Sequence, residues 1–563
     1  MTQTEDLINV SAIEILITMV PLMMVALVSS IMGLGIASPI LVGTIRAFVQ
    51  LSILGFILDP IFMWGVDLWW LVLGYCGLMI LLASYESSVR SKYYLDGQFG
   101  MVLLPMAATI VCVGAFAFCI VLKPDPVWDP QYVIPIVGML LGNCINGVSL
   151  ALNSILTSLV ESSREIELLL SFGANSYEAT SRLFRDAVRT GAMPQLNGMA
   201  IIGIISIPGM MTGQILGGTS VMQAARYQIL ITYFIALCSF GTTIMETYLT
   251  LQVCFDSRTI LRTDLLRKRD AKPTFLALLR SLCKKIGSYC QRKKRLSSRC
   301  GLPSDESTRL LPSGSLCVST RGRSGSAPIL SVEKLSYGFE TQSDDEAPGV
   351  TAKIDSDTAN FRTLFENVSF QLYPGSTTLV SGPSGVGKSS LLRIVAGLTK
   401  ADADKVVLSG VSQINYTNMP LYRKKCRYVP QTKVDIPGTP YDFMAKITSF
   451  KSWKSDICGT SPTHSEIINA SRELLRSWGM NSSLLDSEWK SLSGGESQRI
   501  LVAISLASLP HGGVILLDES TSALDLESKL KVESSVQDYC TKKSIAAVWI
   551  SHDTGQQDRM KHK

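Results

Sequence analysis

A chain of 563 residues, 47% apolar and only 17% charged, is long for one domain and poor in charge beside the roughly 25% usual in soluble proteins. A wholly water-soluble protein is excluded as the first reading. The net charge of +6 is not a nucleic-acid signature either. Fourteen Lys or Arg stand against only Asp264 and Asp270 between Arg258 and Arg299. Directly behind an apolar segment, such a run reads as a juxtamembrane stretch held near anionic headgroups, with a solvated linker the alternative.

The amino terminus is acidic at Glu5 and Asp6, and the first apolar stretch is too long for a signal-peptide core. It reads as a first span. With about 20 apolar residues needed per crossing, seven spans are expected: Ile13–Gly33, Thr44–Trp64, Leu68–Ser84, Met101–Leu122, Tyr132–Leu156, Met193–Gly217 and Tyr227–Val253. Segments 85–100 and 158–192 carry Arg90, Lys92, Arg164, Arg182, Arg185 and Arg189, while the alternate loops are nearly free of basic residues. The positive-inside rule then puts the amino terminus outside and everything after the seventh span in the cytoplasm. Thirteen cysteines show no framework spacing, and a reducing cytosol argues against disulfides. Cys254, Cys283, Cys290 and Cys300 read as free thiols, with palmitoylation the alternative.

The long loop from Glu165 to Pro194 has Ile166, Leu169 and Leu170 at helical spacing, a break at Gly173, and a second amphipathic stretch with Tyr177, Leu183 and Phe184. Such a helix–Gly–helix docks into a partner, or lies on the membrane surface. From about Ser297 to Ala327, Ser, Arg, Gly and Pro dominate, a composition that buries too little apolar surface to fold alone. Thr341–Asn360 is a second polar insert.

Next comes GPSGVGKS, comprising Gly382, Pro383, Ser384, Gly385, Val386, Gly387, Lys388 and Ser389, followed by Ser390. It lies between a strand at Thr377–Val380 and a helix from Ser389 to Gly397. Glycines let backbone N–H groups wrap phosphates, Lys388 adds charge at the β/γ oxygens, and the Ser389 hydroxyl ligates Mg²⁺. Downstream stand YVPQ ending in Gln431, LSGGE containing Ser493, Gly494, Gly495 and Glu496, VILLDE ending in Asp518 and Glu519, SALD ending in Asp525, and ISHD with His552. Asp518 is placed to hold the Mg²⁺ shell and Glu519 to polarise the attacking water.

In order and spacing these elements resemble the ATP-binding cassette of ABC transporters. The resemblance implies that Gln431 senses the γ-phosphate and the coupling segment, and is counted with Ser389 and Asp518 around the metal. It implies that His552 contacts the γ-phosphate, and that Ser493, Gly494 and Gly495 close over ATP held by an opposite cassette. Phe339, or else Tyr337, would stack on adenine. The Gly173 loop is similar to the coupling segment of ABC permeases. Eleven residues follow His552, fewer than such cassettes usually carry, so a shortened fold or a truncated gene model is expected.

RAFVQL from Arg46, YVIPIVGMLLGN from Tyr132, LSFGA from Leu170, RDAVR from Arg185, SIPGMMTGQI from Ser206 and ARYQILITY from Ala225 resemble the small permeases of bacterial iron-export ABC systems. Related plant permeases are linked to aluminium tolerance and UDP-glucose transport. The expected organisation is a multi-domain chain, with an α-helical membrane domain of about seven spans and an α/β P-loop NTPase cassette. Residues 1–256 are the permease domain, 257–327 a basic linker and 328–563 the cassette. One cassette per chain implies a homodimer with two composite ATP sites in the lipid bilayer, exporting a metal ion or a small anionic metabolite. An ATP-gated channel or regulator is the alternative, and a soluble cassette ATPase is disfavoured by the spans.

No histidine occurs in residues 1–255, which excludes a His-ligated metal site there. Gln50, Asn143, Asn146, Asn197 and Gln214 are candidate pathway groups, with Met210 and Met211 as soft ligands. Helix packing by Asn143 and Asn146 and by the Met pair competes with that reading. The best site expectation is the helix break at Pro208–Gly209.

Overall fold

Inside a bilayer no water serves backbone N–H and C=O groups, so an apolar segment satisfies them within itself as a helix. The computed structural model describes residues 12–269, 317–321, 327–340, 361–401, 405–413, 418–454, 461–522 and 524–553, with 555, 556 and 559 beyond. Its first helices are α1 (Ala12–Ile31), α2 (Ala37–Trp64), α3 (Trp69–Val89), α4 (Gln98–Ala115, continued by π-helical turns over Phe116–Leu122) and α5 (Pro130–Glu161). There follow α6 (Ser163–Ser171), α7 (Ser176–Ile201), α8 (Gly209–Leu216) and α9 (Val221–Cys254).

Among the described residues six helices, α1 to α5 and α9, are long and apolar enough to cross a membrane. The remaining expected segment, Met193–Gly217, is divided: α7 ends at Ile201 and seven residues intervene before α8. Gly203 there takes φ of +82°, and Pro208 has no N–H and disfavours a helical residue before it.

The chain divides into two compact units. One comprises Met1–Ser87, Leu103–Asn146 and Pro194–Thr242, the other Ser88–Val102, Gly147–Met193 and Thr243–Lys563. In the first, small polar side chains join helices: Thr109 and Thr242 hydroxyls are 2.6 Å apart, and the Cys144 and Cys238 sulfurs 3.5 Å. Such contacts let helices approach without a hydrophobic driving force.

In the second unit, Gly191 of α7 fills the same need. A Cβ there would lie 2.7 Å from the Gly147 carbonyl oxygen, 2.8 Å from Ala151 Cβ and 2.8 Å from Thr243 Cγ2. The basic run opens as an ordered strand: β2 (Leu266–Lys268) pairs antiparallel with β1 (Tyr93–Leu95).

The cassette region begins with β3 (Cys317–Arg321), inside the stretch expected as linker, then β4 (Leu330–Glu340), β5 (Phe361–Leu372) and β6 (Thr377–Ser381). After β6 come α10 (Lys388–Val395), β7 (Val406–Leu408), β8 (Val411–Ser412), α11 (Met419–Lys425) and β9 (Cys426–Val429). A helical stretch follows: α12 (Pro440–Thr448), α13 (Lys451–Lys454), α14 (His464–Ser477) and α15 (Gly494–Ser508). The last elements are β10 (Val514–Asp518), α16 (Leu526–Lys543) and β11 (Ala546–Ile550).

A five-stranded sheet runs β3-β6-β11-β10-β9, parallel except for β3. All residues of β9, β10 and β11 are buried, as parallel strands covered on both faces require. A four-stranded antiparallel sheet, β5-β4-β7-β8, adjoins in sequence.

Gly191→Ala should lower the melting temperature of the detergent-solubilised chain, because overpacking costs about 1–3 kcal/mol and outweighs the gain in helix propensity. Gly198→Ala, where nothing lies within 4 Å of the added Cβ, should not. Equal melting of the two variants would refute the tight three-helix contact.

Candidate active site

Parallel strands place their following loops at one sheet edge, where ligands bind in open α/β folds. Here β6, β9, β10 and β11 lead into Gly382, Pro430, Glu519 and Ser551. The phosphate loop turns through Gly385 and Gly387 at φ of +82° and +93°, and Gly387 caps α10. A Cβ on Gly387 would stand 3.0 Å from the Phe365 ring, so glycine serves both backbone and packing there. Pro383, Ser384 and Gly385 are exposed, and Gly382, Val386 and Ser390 half-buried.

Lys388 folds back, its Nζ donating to the Gly382 carbonyl at 2.8 Å and the Pro383 carbonyl at 3.0 Å. Burial pushes the Lys388 ammonium below its usual range, and Glu519 and Asp518 pull it back. The Ser389 hydroxyl donates to Asp518 Oδ1 at 3.1 Å, and the Tyr428 hydroxyl to Asp518 Oδ2 at 2.8 Å. Burial, then the Asp518 charge, raises the Tyr428 phenol, keeping it a donor. Two hard oxygens, from Ser389 and Asp518, thus stand side by side, a donor set that suits Mg²⁺.

Glu519 has φ of +45°, a conformation uncommon outside glycine and frequent at functional positions. Its carboxylate is held from both sides: Gln431 Nε2 donates to Oε2 at 2.7 Å, and His552 Nε2 stands 3.1 Å from Oε1. Catalytic candidates from three strand ends therefore meet at one carboxylate. With its amide nitrogen on Glu519, Gln431 has only its oxygen left for a metal.

The other expected residues are elsewhere. Ser493 caps α15, and its hydroxyl and amide bond Glu496 at 2.7 and 2.9 Å. These bonds hold the Glu496 carboxyl below its usual range. Ser493 and Gly494 are exposed, Gly495 half-exposed, and a Cβ on Gly494 would meet open space. Asp525 caps α16 by accepting from the Ser528 amide at 3.0 Å, which lowers its carboxyl too. Tyr337 is half-buried, 6.1 Å from Phe365 centroid to centroid. Phe339 is a residue of β4, and its side chain lies outside the described residues.

Sequence reading missed several groups here. Tyr428 opens the YVPQ motif, but only its glutamine drew attention. Arg393 of α10 pairs with Glu167 of α6 at 2.5 Å, linking the phosphate-loop helix to the Gly173 segment. A cavity of about 280 Å³ is lined by Ser389, Arg393, Gln431, Asp518 and Glu167.

Phe172, fully buried, packs edge-on to Phe443 at 5.0 Å beneath the Arg427 guanidinium at 4.0 Å. Trp453 Nε1 donates to the Phe172 carbonyl at 3.0 Å, and the Ser452 hydroxyl to the Gly173 carbonyl at 2.6 Å. Glu178 accepts from the Lys451 amide at 2.8 Å, whereas Tyr177 is 59% exposed.

A phosphate loop, a held carboxylate base and a capped LSGGE helix on a mainly parallel sheet define an ABC-type transport ATPase, here behind an apolar helical domain in an integral membrane protein. Comparison with known proteins agrees. The model of Uncharacterised protein family (UPF0014) matches residues 12–255, and that of ABC transporter matches residues 365–522. The UPF0014 membrane protein slr1647 of Synechocystis sp. is 33% identical over 215 residues, 38% of this chain and 82% of the relative. The probable iron export permease protein FetB of Escherichia coli is 32% identical over 228 residues, 40% of this chain and 84% of the relative. The probable iron export ATP-binding protein FetA, also from Escherichia coli, is 32% identical over 190 residues, 34% of this chain and 78% of the relative. The chain belongs to the UPF0014 membrane-protein family and carries an ABC transporter ATPase domain on the same polypeptide.

Phe172→Ala should speed hydrogen–deuterium exchange of peptides spanning 168–176 and 451–453, since deleting a buried ring costs about 3–5 kcal/mol, while β10 stays protected. Unchanged exchange at 451–453 would show that the segment is not seated there.

Proposed function

We propose that this chain is an ATP-driven half-transporter that works as a homodimer and exports a metal ion or a small anionic metabolite. Residues 1–256 serve as permease, 257–327 as a tether whose Cys317–Arg321 strand already joins the cassette sheet, and 328–563 as cytoplasmic cassette. The observation carrying the reading is Glu519, clasped by Gln431 and His552, in the unit where Phe172 is seated. A regulator without turnover would have no need of a positioned base. Export of a metal such as iron is supported by the names of the FetA and FetB relatives.

In the proposed mechanism ATP lies along the phosphate loop, with Lys388 supplying positive charge. Glu519 accepts the proton of the water attacking the γ-phosphorus as the bond to the bridging oxygen breaks, and Gln431 and His552 keep its carboxylate aimed. Ser389 and Asp518 would hold Mg²⁺, which supplies neutralising charge at the β- and γ-phosphates. The exposed Ser493 and Gly494, with the half-exposed Gly495, close over ATP on a second copy, and Phe339 or Tyr337 meets adenine. Closure moves Gln431 and α11–α13, and Phe172 carries that motion into α6 and α7.

Glu519→Gln should lower ATP turnover of the chain in lipid vesicles by about 10²–10⁴-fold with ATP binding retained. Ferrous iron or a nucleotide sugar, whichever is cargo, should stimulate the wild type. Binding without hydrolysis by the wild type would favour a gated channel or regulator. The homodimer has a separate check. Lys388→Ala and Gly494→Asp chains, each inactive alone, should regain ATP turnover when co-reconstituted, because mixed dimers keep one intact composite site. No recovery would sink the two-chain site.

A further inference from the structure

Glu246 lies in α9, eight residues before its end, and was passed over in the sequence because a lone acid in an apolar run draws no motif. It is fully buried. Its bonding is lopsided. The Thr250 hydroxyl donates to Oε1 at 2.9 Å, but Thr247 reaches Oε2 only at 3.4 Å, and its proton is better placed on the Thr243 carbonyl at 2.7 Å. Among the described residues no cationic side chain bonds this carboxylate. Thr243, one turn earlier on the same face, is 1% exposed, and its hydroxyl oxygen has no hydrogen-bond partner.

Burying a carboxylate in a membrane helix without a counter-charge is costly. One proton on Glu246 would neutralise it yet leave the Thr243 oxygen unsatisfied. A cation with several coordination positions would answer both. Among the described residues the side chains that bond Glu246 offer only oxygens, as does Thr243, a set that favours a hard cation.

We propose that Glu246, with the hydroxyls of Thr243, Thr247 and Thr250, is a binding site for a hard, oxygen-preferring metal cation in the membrane half; this deepens the transport reading above and rests on it. The site is tied to the power stroke through α7. Thr243 Cγ2 is one of three atoms that a Cβ on Gly191 would crowd, at 2.8 Å, so α7 and α9 come close together one turn from Glu246. A displacement of α7, driven from Phe172, shifts Gly191 against Thr243 and opens or closes the oxygen cluster. With one carboxylate the site holds its ion loosely enough to release it.

Manganese(II) is a suitable probe, since its paramagnetic signal reports free against bound ion. The full-length chain in nanodiscs, without nucleotide, should bind one manganese ion more per chain than Glu246→Gln, which keeps the side-chain shape and should keep the melting temperature. Glu246→Asp should retain a weakened site. Thr243→Val, safe if the glutamine variant misfolds, should weaken binding about tenfold. Equal manganese occupancy in wild type and Glu246→Gln, or no binding to wild type, would overturn the proposal and leave Glu246 a protonated packing residue. Failure of the transport reading shows separately, as wild-type protein that binds manganese through Glu246 but does not hydrolyse ATP.

Discussion

Phe172 is the contact on which the rest of this machine depends. Burying its ring contributes about 1.5–3 kcal/mol from transfer alone. The stacked Arg427 adds about 2 kcal/mol where the pair is desolvated. Neither figure counts the main-chain bonds from Ser452 and Trp453. Gly173 completes the seat by necessity: at φ of +88°, with the Pro420 carbonyl 2.9 Å from any added Cβ, no other residue turns the chain there without strain.

Two fully buried arginines brace the seat. Arg423 donates to the Gly397 carbonyl at 2.7 Å behind α10, to Thr259 Oγ1 at 2.6 Å and to the Arg258 carbonyl at 3.0 Å, behind α9. Arg427 reaches Ser508 and the Lys424 carbonyl and lays its face on Phe172. Burial pushes both guanidinium groups below their usual range. Among the described residues neither bonds a carboxylate, so their charges are balanced by carbonyls, hydroxyls and rings. If Phe172 withdrew, Arg427 would lose the ring stacked closest on it, at 4.0 Å against 6.0 Å for Trp453, and part of the desolvation already incurred would go uncompensated. The seat therefore resists partial opening and favours moving as a block.

The nucleotide machinery was legible because it is built from backbone and short-range patterns. A loop of glycines before a lysine, or an apolar strand ending in two carboxylates, has the same physical meaning wherever it occurs. Residues acting across the fold were not legible. Tyr428 meets Asp518 across 90 positions, Arg393 meets Glu167 across 226, and Arg423 meets Thr259 across 164. The membrane half shows the same divide. Hydropathy finds apolar stretches, but whether Met193–Gly217 is one helix depends on what Gly203 and Pro208 do to the backbone.

The proposed coupling between ATP and the membrane helices rests on a continuous run of contacts and helix from Phe172 to Gly191. From Phe172 the chain continues through a short capped turn, in which Asn175 and Glu178 exchange hydrogen bonds of 2.9 and 2.8 Å, straight into α7. Between that turn and Gly191, α7 is an uninterrupted helix, and an α-helix transmits displacement along its axis with little compression. At Gly191 it meets Gly147, Ala151 and Thr243 without a side chain to cushion the contact. In the proposed mechanism, motion imposed at Phe172 would arrive at α9 beside Thr243. Clefts and cushions would dissipate it, and close packing of small residues does not. One helix, α7, thus follows the segment seated on the cassette and also touches α9 at Thr243, one turn from the only fully buried carboxylate in the described membrane-spanning helices.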